Sequence, residues 1–325
     1  MSKMTIGSVN GRPMRTILFY RNFRGFTGGH LKVYDYFNHV RASSGYRPRI
    51  WFSRDTIWDG SNPWLALKEQ GLEAWPPVDP DLLFLAGLDW LILDPDRRDR
   101  SSIPIINLIQ GAEHALPDNP RYPFLQHKAI RICVSEEVAA AIRDTRRTNG
   151  PVFVIPCGLD LGPLPSPMAD ADKDVDLVIA AMKQADLGRQ VKRRLDRPGR
   201  RIELLTTRLS RPDFLSWVNR AKVVVVLPRR VEGFGLPALE GMALGTVVVC
   251  PDVIGNRSLC LPGENCFRPE YTLEGIVEAA ESALRLPPDQ RRRMVEQGRL
   301  TPGRHGLPQE RQAFLEILDR ADQLM

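Results

Sequence analysis

The chain has 325 residues, a length that at roughly 100–200 residues per domain favours two domains. A hydrophobic fraction of 43% with 26% charged residues excludes wholesale disorder. The net charge of +6 predicts a polyanionic partner, without choosing among nucleic acid, membrane headgroups and phosphorylated small molecules.

Taken in chain order, the first strand reads over 16–20. A glycine-bearing loop follows over 21–29, and then a helix from His30 to about Arg41 with Leu31, Tyr34, Phe37 and Val40 on one face. Strand, glycine loop and helix make the start of a βαβ unit. Further strands are expected at 49–52, 89–94, 103–109, 131–134 and 152–155, and 55–64 reads as a loop carrying Trp58 and Trp64. Ser135 reads as the N-cap of a helix with an acidic first turn. The segment 161–174 is rich in proline, glycine and aspartate and reads as a linker. Beyond it come strands at 175–181, 202–206, 222–227 and 246–250, and helices at about 189–195, 211–220, 235–244 and 272–285. A last helix runs over about 308–324. Alternation of β and α on both sides of one linker implies two parallel α/β domains. The expected division is 1–160, linker 161–174, 175–300, and a C-terminal helical piece over 301–325 that packs back on the first domain.

No stretch approaches the roughly 18–20 apolar residues of a membrane span, and the first residues lack a signal-peptide pattern. The five cysteines include no CxxC pair, which argues against a disulfide framework or a zinc ribbon. The expectation is a cytoplasmic protein of a reducing compartment, with peripheral contact at the inner face of an anionic membrane left open.

Chemistry concentrates in Leu227-Pro-Arg-Arg-Val-Glu-Gly-Phe-Gly-Leu-Pro-Ala-Leu-Glu-Gly-Met. A buried strand runs into a loop holding Glu232, glycines 233 and 235 flank Phe234, and the helix that follows carries Glu240. Glycines let the backbone approach a ligand, and the free N–H groups of a helix start favour phosphate. Both carboxylates can reach one ligand in the crevice outside the strand ends.

This segment resembles the E-x7-E motif of retaining glycosyltransferases of the GT-B fold, most closely glycosyltransferase family 4. Val154-Ile-Pro-Cys-Gly-Leu-Asp160 resembles the family's domain-junction sequence, with Cys157 in place of asparagine. Pro251-Asp-Val-Ile-Gly-Asn-Arg257 and Pro262-Gly-Glu-Asn265 resemble its tail motifs, and Gly28-Gly29 its N-terminal phosphate loop. The resemblance spans roughly residues 15–270. It implies two Rossmann-like domains facing across a cleft and a metal-independent hexosyl transfer from a nucleoside-diphosphate sugar to a glycan, lipid-linked or small-molecule acceptor. It also implies roles: Glu240 on the ribose, Glu232 on the transferred sugar, and the backbone of Gly233, Phe234 and Gly235 on the sugar or diphosphate. Gly28 and Gly29 would meet the phosphates, and the loop around Arg208 and Leu209 the base.

The chain departs from the family at two places. The usual arginine–lysine pair of the second domain is absent, leaving Lys183 first and Arg189 second as phosphate cations. The usual N-terminal histidine is replaced by Gln110, which can bond a donor sugar but cannot titrate. His114, Trp58 and Trp64 are the acceptor-side candidates. No cofactor or metal is expected; Asp94 and Asp96, at DxD spacing, read as solvated turn residues because that spacing recurs in this chain. The basic run from Arg189 to Arg201 reads as a solvated face or a lipid-facing one, and nucleic acid is not expected because no recognition motif accompanies the charge. The alternatives are a nucleotide-sugar epimerase or hydrolase of the same fold and a non-catalytic nucleotide-sugar-binding subunit.

Overall fold

The computed structural model describes residues 8–9, 12–100 and 102–325. The chain divides into two compact units, one made of Met1–Ile155 with Glu310–Met325 and the other of Pro156–Gln309. The division falls at Ile155–Pro156 rather than after residue 160.

In the first unit a small antiparallel pair, β1 (Ser8–Val9) and β2 (Arg12–Pro13), precedes β3 (Arg15–Arg21), α1 (Gly28–Arg41), β4 (Tyr46–Phe52), β5 (Leu82–Ala86), α2 (Pro95–Arg100), β6 (Ile105–Ile109), β7 (Ile130–Cys133), α3 (Glu136–Asp144) and β8 (Val152–Val154). Strands β3 to β8 form one parallel sheet in the order β4-β3-β5-β6-β7-β8. The sequences LLFLA of β5 and IINLI of β6 are buried throughout, as expected for parallel strands covered on both faces.

The strand expected at 89–94 is not there. It lies seven residues earlier, in β5, and residues 87–92 form a 3-10 turn. Asp89 decides this. Its Oδ2 accepts from the Ala86 N–H at 2.9 Å and pairs with the buried Arg21 guanidinium, so the chain turns at the end of β5. Trp90 then stacks on Phe124 inside the unit.

Helix α1 begins two residues before the expected His30, because Thr27 caps it by accepting from the His30 N–H at 3.2 Å. Gly28 and Gly29 therefore sit in its first turn, not in a preceding loop. Its buried face also differs: Lys32, Asp35 and His39 are inside with Val33, Tyr36, Phe37 and Val40. These polar groups meet Glu310 of α9 (Leu307–Asp319); Lys32 Nζ lies 2.6 Å and His39 Nε2 3.2 Å from its carboxylate. The helix expected over 308–324 is interrupted at Arg320, after which α10 (Ala321–Leu324) follows. Phe314 packs edge-on to Tyr36 and Phe84, and Arg15 donates two hydrogen bonds to Asp322.

The second unit contains β9 (Val175–Ala180), α4 (Ala185–Leu195), β10 (Ile202–Leu205), α5 (Arg211–Arg220), β11 (Ala221–Val226), α6 (Leu236–Ala243), β12 (Val247–Val249), α7 (Leu273–Leu284) and α8 (Pro288–Arg304). Its four strands are parallel in the order β10-β9-β11-β12. The core joins β9, β11 and β12 to α4 and α7 through Leu177, Ile179, Val191, Val223, Val225, Val249 and Ile276. Residues 161–174 are held within this unit: the Met168 N–H donates to Asn219 Oδ1, and buried Lys173 donates to the carbonyls of Asn219 and Ala221. Helix α8 was not expected, and it includes Thr301–Arg304. Among the described residues no helix is long and apolar enough to cross a membrane.

Candidate functional site

In the second unit, the loops at the carboxyl ends of β9 and β11 bring the sequence candidates together. Lys183 follows β9 and Glu232 follows β11. Lys183 Nζ donates to Glu232 Oε1 at 2.7 Å and to Oε2 at 2.6 Å. The pair is partly open, with side chains 44% and 22% exposed. The loop holding Glu232 is braced from two sides. Tyr271 Oη donates to the Pro228 carbonyl at 2.5 Å, while Arg230 lies over the Tyr271 ring and donates to its carbonyl at 3.0 Å. On the other side the 254–256 turn presses on the loop at Gly255, where a Cβ would lie 2.2 Å from the Glu232 carbonyl oxygen. Only a residue without a side chain permits that approach.

Helix α6 starts at the end of this loop. Pro237 stands in its first turn and no side chain caps it. Pro237 has no N–H and the Ala238 N–H bonds the Gly235 carbonyl at 2.9 Å, so it is the aligned helix dipole that makes that end electropositive. Gly233, Phe234 and Gly235 are buried there, and Phe234 packs edge-on to His305.

Glu240 lies about one turn into α6 and is only 7% exposed. Arg211, the first residue of α5, donates from Nε to Glu240 Oε1 at 3.0 Å. Burial raises the Glu240 pKa above the usual carboxylate value, and the Arg211 charge and hydrogen bond oppose that rise. Arg211 Nη2 is buried and has no hydrogen-bond partner among the described residues. Arg208 is exposed and Leu209 half-buried in the loop between β10 and α5. Arg189 pairs with Asp186 on the exposed face of α4, so its guanidinium is held by its own helix rather than by the Lys183–Glu232 pair.

Residues 204–301 of this unit match the family model described as glycosyl transferases group 1. No curated protein matches the chain in sequence. Among solved structures, the fold is similar to a sucrose-phosphate synthase from Thermosynechococcus elongatus, at 15% identity and TM-score 0.72, with 96% of this chain and 100% of that one covered. HepE from Anabaena in complex with UDP-glucose is similar at 14% identity and TM-score 0.72, covering 94% and 99%. A glycosyltransferase from Rickettsia africae is similar at 13% identity and TM-score 0.62, covering 95% and 98%. The fold is that of the GT-B glycosyltransferases: two Rossmann-like domains, each built on a parallel sheet.

In the first unit, Gln110 Nε2 donates to the Gly29 carbonyl at 3.2 Å. A Cβ on Gly29 would lie 2.6 Å from Gln110 Oε1, so the two candidates are packed against each other. Two acceptor-side expectations are corrected. Trp64 is wholly buried among Tyr34, Phe37 and Phe52 and serves as a core residue. His114 is 5% exposed; burial and the Arg121 charge lower its pKa to about 3, so it is a neutral interior residue. Trp58 is half-buried, edge-on to Phe52, with the Lys68 ammonium over its ring. Among the described residues no group of three or more His, Cys, Asp or Glu side chains is placed to hold a metal ion.

The sequence reading missed Arg211. Its only local signal is the helix start Ser210-Arg-Pro-Asp213, in which the Ser210 Oγ accepts from the Asp213 N–H at 3.2 Å. That cap fixes where α5 begins, and the packing of α5 on α6 then turns the arginine towards Glu240.

Proposed function

We propose that the chain transfers a sugar from a nucleoside-diphosphate sugar to a glycan, lipid-linked or small-molecule acceptor, with retention of configuration and without a metal ion. The observation that carries this reading is the convergence of Lys183 and Glu232 at the uncapped start of α6, the helix that also holds the Glu240–Arg211 pair. The glycosyl transferases group 1 match over 204–301 supports the reading, and the UDP-glucose bound by HepE supports the donor class.

The chemistry follows from charge. As the bond from the anomeric carbon to the phosphate oxygen breaks, negative charge grows on the diphosphate. Fixed donors aimed at that charge lower the barrier. The positive end of the α6 dipole and the Lys183 ammonium stabilise that charge in this site, and Glu232 holds Lys183 in place until the diphosphate arrives. Glu232, released, accepts hydrogen bonds from the sugar hydroxyls, and Glu240 accepts from the ribose. The acceptor oxygen attacks the anomeric carbon on the face from which the diphosphate departs, and the departing phosphate oxygen takes the acceptor's proton. The configuration is thereby kept without a protein nucleophile.

The test is a panel of UDP-, GDP-, ADP- and dTDP-sugars with candidate acceptors, followed by proton NMR of the anomeric signal. Transfer with retained configuration is the expected result. Hydrolysed or epimerised donor overturns the reading in favour of another enzyme of this fold. Tight donor binding without turnover assigns the chain to the non-catalytic class instead.

A further inference from the structure

Glu240 and Arg211 together offer more than a ribose-binding carboxylate. The carboxylate is almost completely enclosed, and among the described residues Arg211 is the one side chain that hydrogen bonds to it. The bond uses Arg211 Nε and Glu240 Oε1 at 3.0 Å, which leaves the second carboxylate oxygen as an acceptor. Arg211 Nη2 lies on the same guanidinium, buried and unpartnered among the described residues. Leaving a buried donor unmade costs on the order of 1–3 kcal/mol, more for a charged group, and a ligand oxygen that accepts from Nη2 recovers that cost. An acceptor and a donor held side by side by one ion pair are complementary to a vicinal diol. One hydroxyl of such a diol donates to the carboxylate, and the oxygen of the other accepts from the guanidinium.

We propose that Arg211 is a recognition and positioning residue that reads the ribose 2′,3′-diol of the donor nucleotide jointly with Glu240. This rests on the nucleoside-diphosphate reading of the site and adds to it a named source of discrimination against deoxyribose. Arg211 fixes the rotamer of Glu240 through Nε, so that the free oxygen faces the ligand. It also supplies Nη2 to the ribose directly. A site built to bond a hydroxyl rejects the analogue that lacks it, because its own buried groups then stay unpaired.

The experiment is calorimetric titration of the full chain with UDP, GDP and ADP, and then of the tightest binder against its 2′-deoxy form. Wild type, R211Q and R211K are compared, each with its thermal midpoint. In wild type the deoxy form binds at least tenfold more weakly. In R211Q the ribonucleotide loses affinity about tenfold and the ribo-to-deoxy ratio falls towards one; R211K recovers part of the ratio. The affinity of R211Q also declines at higher pH than wild type declines, because Glu240 has lost the cation that opposes its burial. A wild-type ratio near one, or an R211Q ratio equal to wild type at an unchanged midpoint, overturns the role of Arg211 while leaving the donor site standing. A wild type that binds none of the three nucleotides overturns the donor reading itself, and this inference with it.

Discussion

Gly255 is the position at which one methyl group should disable the site without touching a charged residue. A Cβ there would lie 2.2 Å from the Glu232 carbonyl oxygen, 2.2 Å from the Gly233 carbonyl carbon and 2.5 Å from the Phe234 nitrogen. All three are backbone atoms, so no side-chain rotation relieves the clash. Restoring ordinary contact requires the 232–234 loop and the 254–256 turn to part by about 1 Å, and a misplacement of that size can cost on the order of 10²-fold in rate. The same separation is an overpacking defect, which typically costs about 1–3 kcal/mol. At roughly 2–4 °C per kcal/mol for a domain of this size, Gly255→Ala should lower the melting midpoint of the second unit by several degrees. The assay is donor turnover beside thermal unfolding, with Gly303→Ala as the control. Gly303 lies in α8 and has nothing within 4 Å of an added Cβ, so that substitution should raise stability by about 0.5–1 kcal/mol and leave turnover alone. If Gly255→Ala keeps both the wild-type rate and the wild-type midpoint, the bracing of the Glu232 loop by this turn is wrong.

The other predictions divide catalysis, binding and folding. Lys183→Ala should cut turnover by about 10²-fold, the usual cost of removing one donor to a growing anion, and shift the midpoint little because exposed ion pairs contribute at most about 1 kcal/mol; steady-state kinetics with unchanged kcat would sink the role given to Lys183. Glu240→Ala should weaken donor binding about ten- to a hundredfold, the worth of a charge-assisted hydrogen bond, and Glu232→Ala should act mainly on kcat; titration and kinetics separate them, and equal effects on both would count against the division. Trp64→Ala should cost about 3–5 kcal/mol as a core truncation, whereas half-buried Trp58→Ala should cost clearly less, both read by denaturant titration; similar losses would contradict the placement of Trp64. His114 stays neutral in the folded chain down to about pH 3, whereas the unfolded chain takes up a proton near 6.5. Its stabilising contribution is therefore full above 6.5 and is lost as the pH falls, at about 1.4 kcal/mol per unit. Between pH 7 and 5 a His114→Gln variant should lose about 2 kcal/mol less stability than wild type, and parallel pH profiles would refute this.

What was readable in the sequence and what was not separate along a physical line. The second unit was legible because its strands are short apolar runs and its helix starts carry local signals. Ala221–Val226 enters a glycine loop, Pro237 opens α6, and Thr272 caps α7 by accepting from Gly275. Misreadings arose where the deciding contact was distant in sequence. Asp89-Trp-Leu-Ile-Leu-Asp94 has a strand's composition, and a short apolar run cannot be told from a buried turn by periodicity. Arg21, far away in the chain, meets Asp89 and settles the matter. Helix α8, which was not expected, contains Gly298, Pro302 and Gly303, residues of poor helix propensity. Its place against α6, with Met294, Gly298 and Thr301 buried, outweighs their poor propensity. Trp64 and His114 have residue types suited to sugar binding, and only the packing around them makes them interior.

The positive charge divides in a similar way. The run from Arg189 to Arg201 looked like one basic patch, but much of it is tied down within the second unit. Arg189 pairs with Asp186, Arg200 with Glu281, and Arg201 with Asp174. Arg197 is turned onto the carbonyls of Arg194 and Asp196. Arg131, in the first unit, is wholly buried and donates to the carbonyls of Ala129, Asn149, Phe124, Leu125 and His127. Cations that close loops or pair with carboxylates add to the formal charge but are not available to an anionic ligand. Two others stand differently. Lys183 is held by a carboxylate that is itself a candidate ligand group, so an incoming anion can exchange for it. Arg211 keeps one guanidinium nitrogen unpartnered among the described residues beside Glu240. A net charge of +6 is thus a poor guide to an anion site in this chain; the informative quantity is which cation the fold leaves beside a candidate ligand-binding carboxylate.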